Sequence, residues 1–419
     1  MKRSMKLIFA GLFCFSALAA QAQVKDFSRV ERWRQDINYY AEQLPKLHKN
    51  LFFHLRIEEF EREIKQLEKE VSKLDDDQII LRLMTLTARI NDGHTLLYWS
   101  KLEDITVFPI GLRQFPEGFY AVESAPAYRE ILGKKLVKIG NVKIEEAARR
   151  VRKVFSAENE FGVKNKMQTF LIIPLVLKAE KIVGSGAEAD YTFADGQGKQ
   201  NTVRFKAQKY TDFLKIKRSD FFDGKQAPLA LKNKDKKYWF EYLPGEKTLY
   251  LAYNECANDR DQPFAELVKE IFETVDKTAV ERFVVDLRRN GGGNSKVLHP
   301  LYDALAERPA LTAKGKFFVL MSRQTFSSGF LNAVEMKQKF GALWVGEPSS
   351  QAPVGYGEVK NFELPNSKLR VQYSTKKYVY DENSKQNFMP VDAAVEETFA
   401  DYTKGADRVL EAVLNYKSK

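Results

Sequence analysis

The sequence predicts an α/β protein, with a mostly parallel sheet in its second half, a helical region before it and a small β-rich region between. Three observations carry this. From about residue 238, apolar strand-like runs alternate with amphipathic helix-like runs, as in parallel strands joined by crossovers. Between 24 and about 94, apolar residues recur at three- and four-residue spacing. Between about 101 and 230, short strands and turns replace that period. The expected layout is a signal peptide over 1–22, a helical domain over 23–100, a middle domain with its connector over 101–237 and an α/β domain over 238–419.

The first residues read as an export signal. Lys2, Arg3 and Lys6 form a basic start, "LIFAGLFCFSALAA" is the apolar stretch, and "AQA" offers a small-residue cleavage site after Ala22. The apolar run is too short to span a bilayer comfortably, so no membrane span is expected after cleavage. Cys14 follows Phe13 where a lipidated cysteine would follow a small residue, so no lipid anchor is expected. The expected location is periplasmic or extracellular.

In the helical region Ile57, Phe60, Ile64, Leu67, Val71 and Leu74 share a face, with Glu and Lys between them. "DDDQIILRLMTLTARI" begins the next helix, because carboxylates favour a helix N-terminus, and Gly93 in "INDGHT" is expected to stop it. In the middle region "GKKLVKIGNVKIEEAARRV" reads as strand, turn, strand, helix, and 221–237 as a connector. In the last region "TLYLAYN", "ERFVVDL", "KGKFFVLMS" and "ALWVGE" read as strands, and "PFAELVKEIFETV" as a helix burying Phe264, Leu267, Ile271 and Val275.

Composition excludes some functions. The net charge of +11 falls to +8 (11 − 3) without the three basic residues of the signal. The lysines are dispersed, with no dense basic or aromatic-interleaved block, which argues against nucleic acid. After cleavage only Cys256 remains, without a local basic partner, and reads as structural. Four scattered histidines give no metal-ligand spacing, so neither metal nor cofactor is expected.

Two loops after predicted strands could do chemistry. Asn290–Gly293, "NGGG", lets backbone N–H groups approach a ligand, although a plain tight turn fits equally well. "SRQTFSSGF" places Ser327 and Ser328 where a strand gives way to a helix, in the positive field of its first turn. A simple N-cap explains a serine there too. Paired with the glycine loop, the turn reads as a nucleophile with oxyanion donors, and a nucleophile needs a base. Among His48, His54, His94 and His299, His94 stands out, on a turn just past a helix end.

Together, "VVDLRRNGGGN", "RQTFSSGF", "VGEPS", "NDGHTLL" and the C-terminal "MPVDAAVEETFADYTKGADRVLEAVL" resemble the tail-specific, or C-terminal processing, serine peptidases. The resemblance implies a crotonase/ClpP-like α/β domain, an N-terminal helical domain and a middle domain that "LVKIGNVKIEEA" marks as PDZ-like. It selects Ser327 as nucleophile, with Ser328 and either Gly291 or Gly292 as oxyanion donors. Ala352 stands where one branch carries a lysine base, so the resemblance is to the tricorn-like branch, with His94 as base. There a glutamate completes the site through a bridging serine; Glu382 is the nearest match, but Gly93 replaces the serine before the histidine, which leaves Asp92 or another carboxylate to orient His94. Phe330 stands where the processing peptidases often carry Glu.

The expected function is an exported serine endopeptidase acting on peptides or protein tails, the substrate held by strand addition at a sheet edge. The alternative is a non-catalytic binder of peptides or apolar ligands on the same fold. Ser327 and His94 within hydrogen-bond reach favours the first; a distant, solvent-facing His94 favours the second.

Overall fold

The computed structural model describes residues 27–99 and 105–417. The expected signal peptide, its cleavage site and Cys14 lie outside the described residues. Among those residues, no helix is long and apolar enough to cross a membrane.

The second half holds a six-stranded sheet in the order 238–243, 248–253, 282–286, 317–321, 343–346, 393–394. The first pair is antiparallel and every later pair parallel. Its central strands are almost wholly apolar because both faces are covered. Leu249, Leu251, Phe283, Val285, Phe317 and Val319 face one core with the Phe264–Lys277 helix, while Tyr250, Ala252, Val284, Phe318 and Leu320 face another with Val409, Leu410 and Val413 of the last helix. The strand period of two sorts the residues between these layers.

The expected helices form at Arg29–Leu47, Ile57–Glu70 and Asp76–Ala88. Ser28 and Asp75 close capping boxes at the first and third, satisfying orphan N–H groups. Phe60, Ile64, Leu67 and Val71 are buried as their spacing predicts; Ile57, at the first turn, stays exposed. Gly93 does not stop the third helix. The helix ends at Ala88, and the chain reverses through Asn91 at φ 62°, a left-handed conformation asparagine tolerates.

The middle region is a seven-stranded antiparallel sheet whose main path runs 219–220, 118–124, 135–139, 188–194, 200–206. The long hairpin Val354–Glu363 and Leu369–Val379 leaves the main sheet and joins Leu96–Trp99, where Leu369, Val371 and Tyr373 enter the core of the N-terminal helices. Nothing in the sequence signals this crossover. It brings the His94 turn to the α/β region.

Candidate active site

The glycine loop and the serine turn follow neighbouring parallel strands, Arg282–Asp286 and Phe317–Met321. Backbone and hydroxyl bonds lace them together. Thr325 Oγ1 donates to Leu287 O (2.8 Å), Ser322 Oγ to Arg288 O (2.6 Å) and Phe326 N to Asn290 O (3.0 Å). Asn290 is fully buried and donates to Tyr253 O (2.8 Å). Gly329 must lack a side chain, since a Cβ there would lie 2.7 Å from Asn290 O.

Ser327 occupies the N-cap of the Ser328–Phe340 helix, yet its hydroxyl makes no capping bond. Its backbone stands at φ 52°, ψ −127°, which costs energy in a residue with a side chain. Gly292, at φ 115°, passes so close that a Cβ there would lie 2.7 Å from Ser327 Cβ and 3.2 Å from its Oγ. Ser328 Oγ donates to Gly293 O (2.6 Å), fixing the second serine to the loop. Of the two candidate glycine donors, Gly292 N is spent on Asn290 Oδ1 (2.9 Å), whereas the N–H groups of Gly291 and Ser328 bond to nothing in the described residues.

His94 is 8% exposed, and its ring stacks on Phe326, the residue before Ser327, with centroids 4.4 Å apart. Neither imidazole nitrogen makes a hydrogen bond, so the Ser327 hydroxyl is not engaged by His94 in this structure. The Tyr356 backbone lies near the ring, outside hydrogen-bond geometry. Burial lowers the imidazole pKa; Asp92, with Oδ1 3.9 Å from Nδ1, pulls it up and Lys166 pushes it down. The neutral ring, able to accept a proton, is thereby favoured.

Asp92 organises this turn. It accepts from His48 Nε2 (3.0 Å), Thr95 Oγ1 (2.5 Å), Ser374 Oγ (2.6 Å) and His94 N (3.0 Å). Asn50 N donates to His48 Nδ1 (3.0 Å), which leaves the proton on Nε2, facing Asp92. Although burial opposes it, these donors and His94 hold the carboxyl down at about 2. Ser374 belongs to the crossover hairpin, so one carboxylate joins the helical region, the His94 turn and the hairpin.

Glu382 is exposed, on the rim of a cavity of about 230 Å³ whose wall includes Asp92, Glu158 and Tyr356. Its carboxylate makes no hydrogen bond among the described residues, to His94 or to any serine. Phe330 is fully buried, against Trp344 and Tyr380 with centroids 5.9 and 5.0 Å away. Cys256 is buried beside Asn290, and burial pushes its thiol up to about 12, which fits a structural residue. His54 and His299 are exposed.

Sequence reasoning missed Glu158, Lys166 and Gln351. Glu158 is buried and accepts from Gly93 N (3.0 Å), Gln351 Nε2 (2.8 Å) and Ala352 N (2.7 Å). Lys166, half-buried, donates to Gly93 O (2.9 Å) and Ser156 O (2.8 Å). No local motif marks them; the only signal for Glu158 and Lys166 is ionisable residues amid the apolar positions of "FSAENEFGVKNKM", and Gln351 has none. Asp92, His94 and Glu158 bring ligand-type atoms within 4.8 Å of one another. All four carboxylate oxygens in that group already accept hydrogen bonds, which makes it a hydrogen-bond framework.

No family model matches the chain, and no curated protein matches it in sequence. Solved structures do. Mature CPAF complexed with lactacystin superposes with a TM-score of 0.64 at 13% identity, over 92% of this chain and 98% of that one. The chain has the fold of mature CPAF. A serine-to-alanine mutant of CPAF superposes at 0.66, with 12% identity, over 93% and 99% of the two chains. The full-length overlap shows that helical, middle and α/β regions together make one shared architecture, in the α/β class the sequence predicts.

Proposed function

We propose that the protein is an exported serine peptidase, with Ser327 as nucleophile and His94 as general base. One observation carries this reading: Ser327 is held at a strained, uncapped N-cap beside two unbonded backbone N–H groups, Gly291 and Ser328. A plain cap would place its hydroxyl on the helix's own donors. The shared fold of mature CPAF supports the reading, as do the motifs that resemble C-terminal processing peptidases.

The steps follow from the residues. Ser327 Oγ attacks the peptide carbonyl while its proton passes to neutral His94. The carbonyl oxygen gains negative charge and accepts from Ser328 N–H and Gly291 N–H. The carbonyl then re-forms, expelling the amine, which takes the proton from His94. Water, deprotonated by the same ring, hydrolyses the serine ester. Asp92, 3.9 Å from the ring at rest, is the carboxylate that stabilises the transient imidazolium. His94 must move from its stack on Phe326 to reach Ser327, since neither nitrogen is bonded in this state. Glu382, on the rim of the neighbouring cavity, bonds to neither Ser327 nor His94 in this structure. The substrate class is an extended peptide or protein tail; no cofactor is needed.

Ser327→Ala is expected to abolish peptide hydrolysis and labelling by a fluorophosphonate probe. Hydrolysis at the wild-type rate in that variant sinks the reading. The second reading, a non-catalytic binder, is favoured by the unbonded His94 ring. It gains if the wild-type protein binds peptides yet neither hydrolyses them nor takes the probe.

A further inference from the structure

Glu158 lies in no loop that carries the proposed nucleophile, oxyanion donors or base, yet it reaches two of them. Oε1 accepts from the backbone N of Gly93, the residue before His94 (3.0 Å). Oε2 accepts from Gln351 Nε2 (2.8 Å), and Gln351 Oε1 accepts from the backbone N of Ser327 (3.3 Å). Ala352 N adds a third donor to Oε2 (2.7 Å). Next to it, Asn159 Nδ2 donates to Ser349 O (3.0 Å) and Gln351 O (3.3 Å), so this segment clamps the 349–352 loop from two sides.

The polarity of this chain is forced. The Ser327 N–H can only donate, so Gln351 must turn its oxygen toward Ser327 and its N–H₂ toward Glu158. Glu158 must then accept. All three of its contacts are donated to it, and a protonated carboxyl would leave its own O–H without an acceptor. Burial and Asp92 push this carboxyl up to about 8, while burial brings Lys166 down to about 8. The donor geometry favours the carboxylate, with Lys166, bonded to the other side of the Gly93 peptide at its O, as the nearby positive charge.

We propose that Glu158 is a positioning residue that sets the nucleophile turn and the general-base turn in one register, holding Gly93 N–H directly and Ser327 N–H through Gln351. The inference rests on the peptidase reading for its purpose, but the tie itself is a property of the fold. It explains why Ser327 keeps its strained backbone: its N–H is held by a side chain that is itself anchored. It also explains Gly93, where a Cβ would stand 2.8 Å from Glu158 Oε1.

The test uses the full chain, with two readouts. One is the rate of Ser327 labelling by a fluorophosphonate; the other is amide exchange over residues 324–331. Glu158→Gln keeps the volume but turns an N–H₂ toward N–H donors. Labelling is expected to slow about a hundredfold, the scale of a small misplacement, and exchange at Ser327 to quicken. Gln351→Leu cuts only the Ser327 arm and is expected to quicken the same exchange. In the double variant E158Q/Q351E a carboxylate again accepts from Ser327 N–H and an amide donates to it. Recovery of at least about tenfold in labelling over E158Q is expected, which a residue needed only for stability would not give. A folded E158Q that labels and exchanges like the wild type overturns the inference. If E158Q does not fold, unchanged exchange in Gln351→Leu overturns it. If the wild type takes no probe while E158Q still loosens Ser327, the peptidase reading fails and the tie stands.

Discussion

Replacing Asp92 with Asn tests whether this carboxylate organises the His94 turn. The folded-state pKa is about 2 against an ordinary 3.8. A depressed pKa contributes stability above the unfolded value that is lost as pH falls through the folded one, here about 2 kcal/mol at neutral pH. Asn forfeits that and adds a conflict. With its amide nitrogen at the Oδ2 position it meets the proton of His48 Nε2; at the Oδ1 position it meets His94 N–H. One buried donor left without an acceptor costs about 1–3 kcal/mol. The sum is about 3–5 kcal/mol at pH 7, the range for breaking a buried charged pair. Urea unfolding of both proteins at pH 6 and pH 3 reads it directly. The wild type loses about 1 kcal/mol of the Asp92 contribution over that window and the variant loses none of it, so the gap narrows by that amount. Peptide hydrolysis by the folded variant slows by on the order of a hundredfold, because the imidazolium loses its nearest anion. A destabilisation under about 1 kcal/mol, or a gap unchanged between the two pH values, refutes the assignment.

The other predictions concern the same turn and the Ser328–Phe340 helix. Burial lowers the His94 pKa below 6.5, so the acid limb of kcat/KM is expected below that value; a limb above it contradicts the buried neutral base. The same sign holds for stability: His94 contributes fully above 6.5, and its contribution falls as pH drops through the lowered folded value. Gly93→Ala sets a Cβ 2.8 Å from Glu158 Oε1 and 2.9 Å from Phe326 Cζ, and is expected to cost about 1–3 kcal/mol in urea unfolding, with reduced hydrolysis. Phe330→Glu, the residue common in the processing peptidases, puts an unpaired charge between Trp344 and Tyr380. It is expected to lower stability by about 3–5 kcal/mol, and a thermal melt unchanged from the wild type refutes the packing argument.

The α/β sheet was legible in the sequence because its strands are apolar on both faces and alternate with amphipathic helices, a pattern that survives without knowing any contact. The serine turn and glycine loop were legible for the same reason: both follow strands, and neighbouring parallel strands bring their loops together. The crossover hairpin was not. Nothing in 354–379 says that the partner is Leu96–Trp99. The helix stop was misplaced: the helix already ends at Ala88, and an asparagine takes the left-handed turn two positions before the glycine that suggested it. Glu158, Lys166 and Gln351 stayed hidden since their roles are tertiary: each is a polar residue whose partner lies on another segment.

The crossover hairpin and the proposed base are one problem. A histidine more than two hundred residues before its proposed nucleophile cannot be held there by local structure, so the fold must carry it. Ser374 and Tyr356, both in the hairpin, border the His94 turn, one by bonding Asp92 and the other by lining the cavity beside it. Phe326 meets the ring from the other side. The turn is therefore gripped by the helical region through His48, by the hairpin through Ser374 and by the segment before the Glu160–Phe170 helix through Glu158. Of the turn's buried side-chain polar atoms, the imidazole nitrogens are the ones left unbonded, on a turn fixed from three directions. On the proposed peptidase reading, that leaves the ring to meet a partner that arrives with substrate.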